Sequence, residues 1–172
     1  MALGVGSGIG RVDMFLKLEG VPGESKDEKL TDHIEVLSFA WGVSQQGTYG
    51  QGMGGGAGKA EISDVQFSHY FDKASSVLLQ MCVSGKHISK GEFIARRAGA
   101  DGKPQNYLNL KFDDIIVTGV STSGSGHGDT RMMENFSLNF RKFEVVYTTQ
   151  DAKGAGQPSN PVKWDLQKNA EA

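Results

Sequence analysis

Apolar and polar residues alternate along most of this chain, which is the pattern of strands with one buried face. In the first such segment, residues 12–18, the apolar side chains of Val12, Met14, Leu16 and Leu18 fall on every second position. The same pattern predicts strands over residues 33–41, 60–70, 92–97, 106–117, 132–147 and 162–167. Most of these strands are separated only by turns. We therefore expect an antiparallel sheet that closes or folds over as a barrel or sandwich.

The long segment 132–147 changes phase in its middle. Phe136 and Phe140 lie on even positions, whereas Phe143 and Tyr147 lie on odd positions. One extra residue near Arg141 and Lys142 would account for this change, so the pattern predicts a β-bulge or a sharp bend there.

One segment has helical periodicity. After Asp72, a residue type that favours the N-cap position, apolar residues recur at the spacing of one helix face. These residues are Ala74, Val77, Leu78, Met81 and Cys82. Gly85 follows where a left-handed C-cap is expected. The sequence therefore predicts a single helix, with Cys82 as a small buried apolar residue rather than a nucleophile.

Composition narrows the possible functions. The 172 residues include 18 basic and 20 acidic side chains, a net charge of −2, which argues against a nucleic-acid-binding protein. The single cysteine excludes an intramolecular disulfide framework and a zinc site built on several thiolates. No apolar stretch is long enough to span a bilayer, and the first twenty residues have no secretory leader pattern. We expect a soluble chain that is made in the cytoplasm.

Glycine is the unusual residue, at 24 of 172, and many glycines lie in the connection 42–58. Gly50, Gly52 and Gly55 match the dinucleotide-binding pattern, but the segment that follows has strand character where a helix is required. The connection is long for a compact domain, and Tyr49 and Met53 are residue types enriched at interfaces. A flexible surface loop and a loop that docks on a neighbouring subunit both fit this composition.

No combination of residues predicts catalysis, a metal site or a cofactor. The four histidines are far apart in sequence, and no two have the spacing of a helical metal motif. The adjacent pairs Asp113-Asp114 and Arg96-Arg97 would point to opposite faces of a strand, so neither pair is placed to act together.

Several segments, taken in order, resemble the haemolysin-coregulated protein (Hcp) family. The opening VDMFLKLEGVPGESKDEK, the strand IEVLSFAWGVSQ and the segment MGGGAGKAEISDVQFSHYFDKAS carry the first half of the resemblance. MCVSGKHISKGEFIARRAG, VSTSGSG, ENFSLNFRKFEVVY and PVKWDLQKN carry the rest. The resemblance covers about residues 12–170. Residues 1–11 form a glycine-rich extension ahead of an Hcp-like domain at 12–172. Such an extension could alter the assembly of the tube that proteins of this family form.

The resemblance implies a mainly β fold, an antiparallel barrel of two packed sheets with one helix, similar to phage tail-tube proteins. It also implies a non-enzymatic subunit of the type VI secretion inner tube, which forms homohexameric rings that stack and are exported. The implied partners are other copies of the chain, the sheath, spike and baseplate proteins, and small effectors carried in the ring lumen, with no nucleic acid and no membrane insertion. Export by this route uses no cleaved signal peptide.

By position in the family pattern, Ala40 is expected on the lumen wall. The loop 42–58 is expected to contact the adjacent ring or subunit, together with residues 37–41 and the loop 119–130. The residues expected to make the loop contact are Gln46, Tyr49, Met53 and Lys59. Two other functions stay open: a monomeric β-barrel that binds a small ligand or acts as a weak enzyme, and a tail-tube subunit of a phage-like particle.

Overall fold

The structure is a computed structural model, and it describes residues 12–47, 59–98, 103–128, 130–150 and 156–172. Within these ranges the chain forms eleven strands and one helix. The elements in chain order are β1 (Asp13–Leu18), β2 (Ile34–Val36), β3 (Ser38–Ala40), β4 (Val43–Ser44), β5 (Glu61–Ile62), β6 (Val65–Tyr70), α1 (Lys73–Ser84), β7 (Ile88–Ala98), β8 (Pro104–Ser123), β9 (Met133–Gln150), β10 (Gly156–Pro158) and β11 (Val162–Asp165).

Nine of the strands form one antiparallel sheet that nearly closes into a barrel, which confirms the predicted fold class. The strand order is β2-β1-β7-β8-β9-β6-β3, with β10 and β11 added along β9. Two ends of this order, β2 and β3, are consecutive in the chain and are separated only by Leu37. Because β2 pairs with β1 and β3 pairs with β6, the direct connection from β2 to β3 brings the two ends of the sheet together.

The core fills the barrel with aromatic and aliphatic side chains from the inward positions of the main-sheet strands other than β10. Phe67, Phe93 and Phe112 are almost completely buried. At one end, the ring of Trp41 packs against Phe140 and Phe143, with ring centroids 6.0 and 5.0 Å apart. The alternation therefore does place one face of each predicted strand in the interior.

The helix is confirmed at the predicted position. The Asp72 side chain accepts a hydrogen bond from the backbone N–H of Ala74, and the Ser75 hydroxyl oxygen accepts one from the backbone N–H of Asp72. These two bonds belong to a capping box. Gly85 ends the helix in the left-handed conformation, with φ of 65°. Ala74 and Leu78 are buried, and Cys82 packs against the core from a half-buried position.

The burial of β9 changes phase where the sequence predicted, but the predicted β-bulge near Arg141 and Lys142 is wrong. The pairing of β8 with β9 runs through Asp113–Lys142 and Ile115–Phe140 without a register shift. The neighbouring strand changes phase at the same level, because Asp114 of β8 adopts φ of 55°. Both bulges lie on β8: one is at Thr118, between Val117 and Gly119, and the other is at Tyr107, opposite Ala95 and Arg96 of β7.

Several strand boundaries also differ from the prediction. The predicted strand 33–41 is divided at Leu37, and the predicted strand 60–70 is divided at Ser63 and Asp64. Strand β8 continues to Ser123, so the first part of the predicted loop 119–130 is strand. In the described ranges, no helix is long and apolar enough to cross a membrane.

Candidate assembly surfaces

Among the strand edges that have no partner strand within the described residues, two flank the same outward face of the sheet. One is the outer side of β3, which ends the strand order and pairs only with β6. The other is one side of residues 116–123 of β8, because the pairing of β7 with β8 stops at Ile88–Ile115. We call these the β3 edge and the β8 edge. Unpaired backbone groups on a strand edge are a template for pairing with another chain.

Between these two edges lies a face whose central residues are uncharged, which we call the neutral face; Asp64 and Arg131 lie at its two ends. Its residues point away from the core on β3, β6, β9 and the last part of β8, and they are Ser38, Ala40, Gln66, Ser68, Gly119, Ser121, Asn135 and Ser137. A depression of about 390 Å³ lies over them. The hydroxyls of Ser38 and Ser68 are 2.5 Å apart and link β3 to β6. This face offers hydroxyl and amide groups and no net charge.

A buried ionisable pair lies on the core side of the same strands. His69 Nε2 is 2.9 Å from Glu134 Oε1, and the two side chains are 1% exposed. The hydroxyl of Thr122 donates to the other oxygen of Glu134 at 3.1 Å. His69 Nδ1 lies 3.8 Å from Asp72 at the N-cap of α1, and burial raises the pKa of Asp72. This network joins β6, β8 and β9 to the start of the helix.

The opposite outward face carries two rows of alternating charge across paired strands, and we call it the charged face. The first row is Lys17, Glu92, Lys111, Glu144 and Lys163, on β1, β7, β8, β9 and β11. The second row is Glu19, Lys90, Asp113, Lys142 and Asp165. Each member stands opposite a residue of the other sign, and Glu144 lies 3.7 Å from Lys111 and 3.3 Å from Lys163. The first row has one more base than acid and the second one more acid than base, so the two rows together carry no net charge.

The segment between β1 and β2 is held on this side of the sheet by an ion pair. Arg96 donates to both oxygens of Asp27, at 3.2 and 2.6 Å, and its guanidinium lies 4.5 Å from the centre of the Phe15 ring. The hydrogen bonds from Arg96, with those from the backbone of Lys29 and Leu30, hold the pKa of Asp27 below its usual value. This pair covers a part of the sheet that would otherwise be open.

A short hairpin, β4 with β5, stands apart from the main sheet. Its two pairs are Val43 with Ile62 and Ser44 with Glu61, and the Val43 side chain is 55% exposed. Residues 48–58, which connect the two strands, are outside the described part. A hairpin of two strands is marginally stable by itself in water. An exposed apolar residue on such a hairpin is therefore suited to contact another molecule.

The residues predicted to make contacts are distributed over these surfaces. Ala40 is exposed on the neutral face, at the β3 edge. Gln46 and Lys59 are exposed beyond the two strands of the hairpin. Tyr49 and Met53 lie outside the described residues, as does the extension 1–11. The charged rows and the His69–Glu134 pair were not predicted. His69 and Glu134 do, however, share the phase of Phe67 and Phe136, so the periodicity alone places them in the core.

The described residues provide no arrangement typical of a metal site or a catalytic site. Among them, no group of three or more His, Cys, Asp or Glu side chains is placed to hold a metal ion. Asp113 faces Lys142, whereas Asp114 contacts His87 at 2.6 Å. Arg96 binds Asp27, whereas Arg97 lies over the ring of Tyr107. The two arginines have separate partners, as expected for adjacent strand residues. The expectation of opposite faces is wrong for the aspartates: Asp113 and Asp114 are both exposed, because the left-handed conformation of Asp114 interrupts the alternation.

Comparison with known proteins gives a consistent family. The family model described as "Type VI secretion system effector, Hcp" matches residues 15–147. The Protein hcp1 of Pseudomonas aeruginosa is 42% identical over 163 residues, which are 94% of this chain and 99% of that protein. A solved structure described as that of a type six secretion system protein has a TM-score of 0.86 at 30% identity, covering 93% of this chain and 99% of the other. Hcp1 from Salmonella typhimurium has a TM-score of 0.74 at 34% identity and covers 94% and 99%. The chain therefore belongs to the Hcp family of type VI secretion proteins.

Proposed function

We propose that this chain is a structural, non-enzymatic subunit of the type VI secretion inner tube, which assembles into homohexameric rings that stack and are exported. The observation that carries the proposal is the pair of open strand edges at opposite sides of the neutral face. A ring of identical subunits needs two different, complementary surfaces on each copy, so that the contact runs head to tail and closes. The β3 edge and the β8 edge are such a pair.

In this ring, the β8 edge of one subunit pairs with the β3 edge of the next. Exposed apolar side chains lie near both edges and add apolar contact area: Leu37 beside β3, and Met132 and Met133 at the start of β9, where Met133 pairs with Ser123 of β8. Pairing covers the backbone groups that would otherwise invite aggregation. The neutral face, with Ala40, then forms the lumen wall, and the charged face lies on the outside.

The strand count sets the size of the lumen. Four strands from each of six subunits make a cylinder about 40 Å across at the normal strand spacing. A compact domain of 100 residues has a radius of gyration of about 13 Å and fits such a channel. We therefore propose that the lumen carries small folded effectors, which meet hydroxyl and amide groups rather than charges.

The axial contacts between rings are assigned to the β4–β5 hairpin and the loop that it carries. Gln46 and Lys59, at the described ends of this loop, are exposed, and Val43 presents an apolar side chain. Tyr49 and Met53 complete the proposed contact. Residues 124–132, between β8 and β9, contribute to the same or the adjacent interface. Under this proposal, the chain is made in the cytoplasm, works with sheath, spike and baseplate proteins, and leaves the cell with the tube without a cleaved signal peptide.

Native mass spectrometry of the purified protein in dilute, near-physiological salt tests the ring. The expected result is a dominant species at six times the 18.5 kDa subunit mass, and electron microscopy should show rings with a central channel about 40 Å across. Changing both Tyr49 and Met53 to Asp should weaken the stacking of rings while leaving the barrel folded. A monomer over a wide concentration range would overturn the ring and favour a monomeric ligand-binding barrel. Tubes formed unchanged by the double variant would overturn the assignment of the loop.

A further inference from the structure

We propose that Asp64 is a positioning residue that fixes the direction of the β4–β5 hairpin for the axial contact between rings, an inference that rests on the proposed tube function. Asp64 lies in the short connection between β5 and β6, where the predicted long strand 60–70 is divided. It is half-buried, and its carboxylate has partners on two other strands.

Both oxygens of the Asp64 carboxylate are used. Thr118 Oγ1 donates to Oδ2 at 2.6 Å, and Asn139 Nδ2 donates to Oδ1 at 2.7 Å. Thr118 is the extra residue of one β8 bulge, and Asn139 lies on β9. Bulges redirect side chains and are often found near functional surfaces. Here the bulge places a hydroxyl against the base of the hairpin.

The residue before Asp64 ties the two strands of the hairpin together. Ser63 and Gly42 exchange a backbone hydrogen bond and two hydrogen bonds through the Ser63 hydroxyl, each of 3.0 Å. The indole N–H of Trp41 donates to the Ser63 carbonyl at 3.1 Å. The base of the hairpin is thus a rigid unit, and Asp64 joins this unit to the barrel.

The position of these bonds relates the hairpin to the ring interface. Thr118 lies within residues 116–123, the segment that forms the β8 edge. In the proposed ring, this edge pairs with the next subunit. The same strand therefore makes the lateral contact with one side of its backbone and orients the hairpin through the Thr118 hydroxyl. Because a ring presents six hairpins, a small loss of orientation in each subunit is multiplied in the contact between rings.

The test compares Asp64→Ala and Thr118→Val with two matched controls. Thr118→Ser keeps the hydroxyl donor, and Glu61→Ala removes a hairpin carboxylate for which the structure records no hydrogen bond or ion pair. Hydrogen–deuterium exchange of residues 41–47 and 59–63 measures the hairpin directly. Thr118→Val should raise its exchange rate about threefold to tenfold, the range for the loss of one hydrogen bond, and Asp64→Ala, which removes two, by at least as much. The barrel strands and both controls should stay unchanged.

The second measurement is the protein concentration at which half of the rings are stacked, followed by sedimentation and electron microscopy. The test variants should raise this concentration by at least about threefold and leave the hexamer unchanged in native mass spectra.

Unchanged hairpin exchange in the test variants would overturn the proposal. Faster exchange with normal stacking would also overturn it, because the anchor would then be irrelevant to assembly. If the unmodified chain formed no rings, the proposed function and this role would fail together. Rings and tubes that are insensitive to Asp64 would overturn this role alone.

Discussion

The neutral face and the charged face of this barrel share two strands and yet have opposite chemistry. Strand β8 contributes Lys111 and Asp113 to the charged face, but Gly119 and Ser121 to the neutral face. Strand β9 changes in the same way, from Asn135 and Ser137 to its charged residues beyond Phe140. The change follows a shift of phase that the two strands share. On β8 the shift occurs at Asp114, and at the same level on β9 the outward positions pass from odd to even residue numbers.

The difference shows how each face relates to its neighbours. On the charged face, every charge stands opposite a partner in the same chain, so cross-strand pairing stabilises the subunit without help from another molecule. In the proposed ring, the neutral face of each copy lines the lumen and lies opposite the same face of the other copies. Like charges there would repel, and uncharged hydroxyl and amide groups avoid this.

The largest effect should come from the His69–Glu134 hydrogen bond that is buried beneath the neutral face. Replacing Glu134 by Ala leaves His69 without its partner in the core, which should lower the free energy of unfolding by about 2–4 kcal/mol. On the charged face, Glu144→Ala breaks two solvent-exposed pairs and should cost no more than about 1 kcal/mol. Urea unfolding of the two variants measures both values. Equal losses would contradict the view that a buried polar pair is more costly to break than an exposed one.

A smaller effect should follow from adding charge to the neutral face. Ser121→Lys places an ammonium group beside the β8 edge, and six such groups in a ring repel one another, at a cost on the order of 1 kcal/mol per subunit at low salt. The fraction of hexamer in native mass spectra should fall at low ionic strength and recover as salt screens the charges. Lys111→Ser, the matched change on the charged face, should leave the hexamer unaffected. A hexamer of Ser121→Lys that is insensitive to salt would place this face away from the lumen.

The smallest effects concern two carboxylates whose titrations have opposite signs. Because the pKa of Asp27 is lowered in the folded chain, its pair with Arg96 stabilises the fold above the usual carboxyl pKa, and this is lost as the pH falls through the lowered value. The pKa of Asp72 is raised, so its ionised form costs stability at neutral pH, and acid removes that cost.

Thermal unfolding between pH 7 and pH 3 separates the two groups. Asp27→Asn should lower Tm at pH 7, with a deficit that shrinks in acid. Asp72→Asn, which keeps the cap acceptor, should raise Tm at pH 7, with a gain that disappears in acid. Parallel pH profiles for the variants and the unmodified chain would contradict these assignments.

Much of the fold could be predicted because its signals are local. The helix from Lys73 to Ser84 has its own stripe, cap and terminating glycine within about 14 residues. The alternation of β1 and β6 likewise follows from side chains that lie two residues apart. The bulge was misplaced because periodicity shows a change of phase on one strand and cannot show that its neighbour changes phase at the same level, as β8 does at Asp114.

The candidate surfaces were less predictable because they depend on register. Lys111 and Glu144 are 33 positions apart in sequence and become neighbours only when β8 and β9 pair. Asp64 meets Thr118 and Asn139 for the same reason. The sequence by itself therefore determined which segments become strands or helix and which of their side chains enter the core, because those choices depend on neighbours within a few residues. Only the tertiary structure decided which strands remain open at an edge and which charges meet, because pairing between distant strands is chosen by the packing of the whole barrel.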